Sequence, residues 1–207
     1  MLLCFDFDGV VVDSLDLLLR VTVAAQQQLG LGRPPTQQDY ATIENLTFAD
    51  LADLIGIPPD AREEYCRRIF DLQAQPSETP PAYAGMVPAL ESLSRRHRIV
   101  VITSSDSAAV EQQLAELGLA GAVTQVLGGE LNLPKSERIA LARERFAASR
   151  AETCMTGDAI SDIRQGKLAG VRTAAVTWGF QARELLAREE PDWIVDRPEQ
   201  LVELWGG

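Results

Sequence analysis

The sequence predicts an α/β protein: a parallel sheet covered by helices on both faces, with an all-helical segment inserted after the first strand. Three observations predict it. An apolar run, Met1-Leu2-Leu3-Cys4-Phe5, stops abruptly at Asp6-Phe7-Asp8-Gly9. Beyond Gly85, short β-branched runs alternate with helix-length amphipathic ones, the pattern of parallel strands joined by crossover helices. Between these, residues 30–83 hold short helical patterns broken by glycine and proline, with no convincing strand.

Taken in order, residues 2–7 read as a buried strand. Residues 15–29 are apolar on one face, with Asp13 or Ser14 as the prospective N-cap. Amphipathic patterns recur over 48–55 and 61–72, separated by Pro58 and Pro59, and residues 76–81 (Pro-Ser-Glu-Thr-Pro-Pro) read as a linker. Strands are then expected at 98–103, 124–127, 152–156, 173–176 and 193–195, and helices at 108–117, 136–146, 161–168 and 199–204. Gly118 and Gly170 supply two of the helix stops.

Composition narrows the function. The chain has 207 residues, 46% of them hydrophobic, enough for one domain plus a small insert. Its net charge of −11 argues against a nucleic-acid or anionic-membrane surface. No basic segment precedes the first apolar run, so it does not read as a signal peptide, and no apolar stretch is long enough to span a bilayer. Cys4, Cys66 and Cys154 are odd in number and far apart, so a disulfide framework is not indicated and a cytoplasmic location is expected. The oligomeric state is not legible. Lys135 and Lys167 are the only lysines and His97 the only histidine, which restricts any chemistry that needs them.

Parallel sheets bind ligands at the carboxyl ends of their strands. The first strand ends in Asp6 and Asp8, whose carboxylates repel unless a cation neutralises them or one is protonated. That suits a magnesium site, a nucleophile beside a general acid, or merely an acidic turn. Gly9 lets the backbone turn and approach a ligand. The strand at 98–103 ends in Thr103-Ser104-Ser105. Its hydroxyls and the following helix amides suit a phosphate, although Ser104 or Ser105 would serve equally as a helix cap. Lys135 follows Pro134 at a helix start, where the dipole disfavours a cation, so local structure gives no reason for it. Gly157-Asp158 closes another strand, and Asp158 and Asp162 share one helical face. Their ordinary alternative is charge complementing the helix N-terminus. Lys167 suits the last turn of its helix, and His97, among Arg95, Arg96 and Arg98, reads as a surface residue.

The ordered set Asp6-Phe7-Asp8-Gly9-Val10-Val11-Val12-Asp13-Ser14, Val101-Ile102-Thr103-Ser104, Lys135 and Gly157-Asp158-Ala159-Ile160-Ser161-Asp162 resembles the haloacid-dehalogenase-like hydrolases. The tail, Val176-Thr177-Trp178-Gly179-Phe180 followed by Pro191-Asp192-Trp193, looks like their phosphoglycolate-phosphatase-like branch. The resemblance implies a Rossmann-like core at 1–14 and 84–207 with a helical cap at 15–83. It implies that Asp6 attacks the phosphoryl group to form an aspartyl-phosphate, and that Asp8 protonates the departing alkoxide and then deprotonates water. Thr103, Ser104, Lys135 and backbone near Gly9 would hold the phosphoryl oxygens. The side chains of Asp6 and Asp158 and the carbonyl of Asp8 would hold Mg2+, and Asp162 would orient a metal water or Lys135. The expected substrate is a small phosphorylated metabolite, with phosphoglycolate one possibility.

Asp8 favours phosphoryl transfer over dehalogenation, which needs no acid–base residue there. Residues 15–83 contain no lysine, against the phosphonate-cleaving members, and neither the histidine nor the lysine that sugar-phosphate mutases of the family carry in the cap. Val10 points the other way, because phosphatases of this branch often have threonine there and mutases valine. A phosphoacceptor signalling domain remains the alternative from another class, though it explains neither Asp158 and Asp162 nor the helical insert. Within the insert, Asn45, Leu46 and Thr47 form a candidate specificity loop. Arg20, Arg33 and Arg62 are candidate partners for an anionic leaving group, or ordinary solvated residues.

Overall fold

The computed structural model describes residues 1–73 and 79–206. The part of the expected linker at 76–78 lies outside the described residues. The chain begins with β1 (Leu2–Phe5), followed by α1 (Leu15–Leu29), α2 (Gln37–Thr42), α3 (Phe48–Leu54) and α4 (Arg62–Gln73). Then come α5 (Met86–Ser94), β2 (Arg98–Ile102), α6 (Ser107–Glu116), β3 (Gln125–Leu127), α7 (Lys135–Arg145) and β4 (Thr153–Gly157). It closes with α8 (Ile160–Leu168), β5 (Arg172–Val176), α9 (Arg183–Ala187), β6 (Trp193–Val195) and α10 (Pro198–Trp205).

All six strands form one parallel sheet in the order β3-β2-β1-β4-β5-β6. The apolar run of β1 is continuous because both faces are covered. Leu3 and Phe5 pack with Val101, Val110 and Leu201 on one side, and Leu2 and Cys4 with Val100, Ile139 and Met155 on the other. Strand order reverses at β1 and β4, which opens a crevice at their carboxyl ends. The ends of these strands carry Asp6 and Asp158.

Helices α1–α4 share a separate apolar cluster containing Tyr40, Leu51, Ile55, Tyr65 and Ile69, which Phe180 joins from beyond β5. The hydroxyls buried in it find partners there. The Thr22 and Tyr40 hydroxyls lie 2.9 Å apart, and Tyr65 Oη donates to the Thr22 carbonyl (3.2 Å). Two chain passages join α1–α4 to the sheet side by side, with Asp13 N donating to Pro81 O (2.8 Å) and Tyr83 N to Val11 O (3.0 Å).

Three helices were not anticipated: α2, α5 and α9. The first lies in the proline-rich stretch and rests on a capping box, in which Asp39 Oδ2 accepts from Thr36 N and Thr36 Oγ1, both at 2.8 Å. Arg33 grips the same carboxylate through both terminal nitrogens (2.7 and 2.6 Å), and these bonds hold the Asp39 carboxyl at about 2, below its usual range. A carboxyl depressed on folding stabilises above its unfolded pKa, and that contribution is lost as pH falls from about 4 towards 2. Asp39→Asn should therefore lower the melting temperature at pH 7, and the gap from the parent should close between pH 4 and 2. A gap constant over that range would refute the ion pair as its source.

Candidate active site

β1 ends at Phe5, earlier than the expected 2–7. Asp6 N still donates to Thr156 O (2.9 Å), but Phe7 N turns back onto Asp6 Oδ1 (2.8 Å), which ends the ladder. The chain then winds through Gly9, at φ 76°. A side chain there would put its Cβ 2.2 Å from Asp158 Oδ2. The Gly9 amide is itself engaged, donating to Val12 O (3.0 Å).

Lys135, at the start of α7, joins the end of β1 to the first turn of α8. Its Nζ donates to Asp6 Oδ2 at 2.5 Å and to Asp162 Oδ1 at 2.6 Å, with all three side chains largely buried. Asp162 also caps its own helix, Oδ2 accepting from Ala159 N (3.2 Å). Carboxylate oxygens of Asp6, Asp158 and Asp162 lie within 4.8 Å of one another. Burial, then Asp162 and Asp6, push Asp158 well above the usual carboxylate range. Burial, only partly offset by Lys135, moves Asp162 up to about 6. Burial opposes the charge on Lys135, but Asp162 and Asp6 outweigh it and raise its pKa. Lys135 thus stays charged among carboxylates that one lysine does not neutralise. An all-oxygen donor set with surplus negative charge fits Mg2+.

Asp8 stands apart from Lys135 and accepts from Ser105 Oγ (2.7 Å). Burial raises its pKa, with the Ser105 hydrogen bond working against the rise. Thr103 Oγ1 accepts from Ser105 N (3.0 Å), which leaves its hydroxyl proton for another partner. Ser104 is exposed and lines the same cavity. Neither serine caps α6. That cap is Asp106, whose carboxylate accepts from Ala109 N (3.1 Å).

Sequence reasoning missed Arg138 and Gln181, and named Ser105 and Gly179 without their roles, the first bonding Asp8 and the second packing on Asp158. Arg138 is buried and donates to the carbonyls of Thr103 and Leu127, tying the ends of β2 and β3 together. Its spacing of i+3 from Lys135 was the available signal. Gly179 packs so tightly that a Cβ there would lie 2.3 Å from Asp158 Cβ and 2.4 Å from Gly9 O, while Phe180 N donates to Asp158 Oδ2 (2.7 Å). Gly179→Ala should therefore destabilise the fold by about 1–3 kcal/mol, read by urea unfolding. An unchanged midpoint would mean that the Asp158 backing gives way freely. Buried Gln181 accepts from Ile160 N (2.6 Å) and donates to Ile43 O (2.6 Å), spanning from α8 to the loop after α2. Nothing local in the sequence signals it.

A cavity of about 1660 Å³ opens over these groups, roofed by α1, α3 and α4. Asn45, Leu46 and Thr47 line it, whereas Arg20, Arg33 and Arg62 are not among its described lining residues. Arg33 pairs with Asp39 and Arg62 with Asp53. His97 lies at the opposite, amino end of the sheet and bonds Trp205 O (2.7 Å), and Lys167 donates to Glu189 O. Cys4, Cys66 and Cys154 are free thiols.

Acids, a lysine and hydroxyls converge at the switch point of a parallel sheet, the place where α/β enzymes build their sites. Residues 3–176 match the sequence family of haloacid dehalogenase-like hydrolases. The chain belongs to that family, and within it the chain is a phosphatase. It is 28% identical over 203 residues to a phosphoglycolate phosphatase of Synechococcus elongatus, covering 96% of this chain and 94% of the relative. A phosphoglycolate phosphatase of Vibrio vulnificus is 27% identical over 221 residues, covering 98% and 95%. In structure it matches a haloacid dehalogenase-like family hydrolase from Streptococcus pneumoniae with a TM-score of 0.86 at 19% identity, covering 98% and 97%. Among the described residues no helix is long and apolar enough to cross a membrane.

Proposed function

We propose that the protein is a magnesium-dependent phosphomonoester hydrolase that works through an aspartyl-phosphate on Asp6. The observation that carries this is the bridge from Lys135 to Asp6 and Asp162, beside Asp158 and two residues before a carboxyl of different environment, Asp8. Asp6 and Asp158, with the Asp8 carbonyl, would hold Mg2+, which supplies charge neutralisation to a dianionic phosphoryl group among carboxylates.

Asp6 attacks phosphorus, and the ester oxygen leaves with its electron pair. Lys135, Thr103 Oγ1 and the backbone and hydroxyl of Ser104 hold the phosphoryl oxygens, while Gly9 allows the close approach of Asp158. Asp162 holds Lys135 in place. Asp8, its pKa raised by burial, carries the proton that the departing alkoxide takes up. It then accepts a proton from the water that cleaves the aspartyl-phosphate, which releases inorganic phosphate and restores both carboxyls. Ser105 keeps Asp8 aimed through its 2.7 Å bond.

On this reading residues 15–83 act as a cap over the core formed by 1–14 and 84–207, pivoting on the paired passages near Val11 and Pro81. The free, dispersed thiols fit a cytoplasmic setting. The substrate is a small phosphorylated metabolite, and the names of the relatives put phosphoglycolate on the panel. Val10, the residue that favours a mutase, is buried in the sheet core. Its side chain offers the site no polar group.

The test is inorganic phosphate release from a panel of phosphomonoesters with Mg2+ and with EDTA, alongside Asp8→Asn. Turnover lost in EDTA, and reduced about 10²–10⁴-fold in Asp8→Asn, is expected. A long-lived phosphorylated protein without turnover would instead favour the phosphoacceptor reading, and phosphate moved between sugar positions the mutase.

A further inference from the structure

The cavity over Asp6 and Asp8 differs sharply between its floor and its roof. The floor is polar and charged. The roof, contributed by α1, α3, α4 and the loop before α3, presents Leu17, Val21, Leu46, Phe48, Phe70 and Leu72. Phe70 is 59% exposed, and its ring meets Phe48 edge-on at 5.5 Å. Among the described residues this aromatic pair borders the cavity and leaves one ring largely in water, apolar surface open to a ligand.

The charge of the lining is equally one-sided. Its only described cations are Lys135 and Arg138. Lys135 is held by Asp6 and Asp162, and buried Arg138 by the carbonyls of Thr103 and Leu127. None of the five arginines of residues 15–83 is among the described lining residues, and Arg67 and Arg68 pair with Glu64. The lining instead adds Asp50, Asp106 and Glu116 beyond the catalytic carboxyls. A leaving group bearing a carboxylate or second phosphate would lose water there and meet like charge.

We propose that the alcohol released by this enzyme is uncharged and presents an apolar face, which seats against Phe48 and Phe70. The proposal rests on the phosphomonoesterase reading above and narrows it. Selectivity arises from both sides: apolar contact favours such esters, and the acidic rim disfavours charged ones. Phosphoglycolate, whose alcohol carries a carboxylate, is then a poor substrate for this chain.

The decisive comparison is n-hexyl phosphate against the phosphate ester of 6-hydroxyhexanoate, two alkyl esters of equal length that differ at the far end. With Mg2+ at pH 7, kcat/KM is expected to favour hexyl phosphate by about tenfold or more, chiefly through KM. Phe70→Arg should erase or invert that preference, and Phe70→Ala should weaken hexyl phosphate more than the carboxylate ester; exposure of Phe70 leaves the fold little affected. Equal rates, or preference for the carboxylate, with both esters turned over would overturn the proposal and leave the phosphatase reading standing. Failure to hydrolyse any phosphomonoester would overturn both.

Discussion

Asp6→Asn is expected to abolish phosphate release, lowering kcat by about 10³-fold or more, because the amide cannot form the phosphoryl ester and nothing else at the switch point replaces it. The fold should survive. Lys135 keeps Asp162 as its charged partner, and the substitution removes one of three crowded negative charges. The variant should therefore be as stable as the parent without metal, or more so. The checks are phosphate release and urea unfolding side by side. Activity within tenfold of the parent would remove Asp6 from the nucleophile's role, and an unfolded variant would show that its carboxylate is structural.

Lys135→Met should have the second largest effect, and on two quantities. Catalysis should fall by about 10²–10³-fold with the loss of a charged donor to the phosphoryl oxygens. Stability at pH 7 should fall by about 3–5 kcal/mol, because buried carboxylates lose their cation. The pH dependence follows from Asp162. Its carboxyl is already raised to about 6 with Lys135 beside it, and goes higher without it. A carboxyl raised on folding binds its proton more tightly in the folded chain, so stability is greatest below about 4 and is lost as pH rises through the folded value. The variant should thus regain stability between pH 7 and 5, and Mg2+ should restore part of it at pH 7. A deficit that neither acid nor Mg2+ changes would show that lost packing, not charge, is responsible.

The legible parts of the molecule were those that repeat or punctuate. β1 could be read because both faces are covered, which makes its run wholly apolar. The acids, Thr103 and Lys135 stand out because each follows a strand or opens a helix, and the fold brings Lys135 and three of the acids together. What escaped depends on which of several possible partners the fold brings to a side chain. Ser104 and Ser105 looked like capping residues, yet Asp106 caps α6, and Ser105 reaches across to Asp8, a distinction that only the path of the β1 loop decides. The helix α2 hid among prolines because its stability comes from Arg33 and Thr36 converging on Asp39. The arginines considered as anion receptors look alike in sequence. Folding turns Arg33 and Arg62 into ion pairs with acids of their own segment.

Gln181 gives the molecule a built-in reporter. One end of its amide accepts the Ile160 N–H at the start of α8, and the other donates to Ile43 O, beyond the passages that join the helical segment to the sheet. Any swing of α1–α4 away from the sheet must break the second bond and loosen the first. The Ile160 amide hydrogen, buried and two residues from Asp158, would then exchange with solvent deuterium in proportion to the population so opened. A ligand that holds the site shut would slow this one hydrogen while leaving those of the central strands unchanged, so the free energy of opening can be read on the unmodified chain in the absence of turnover.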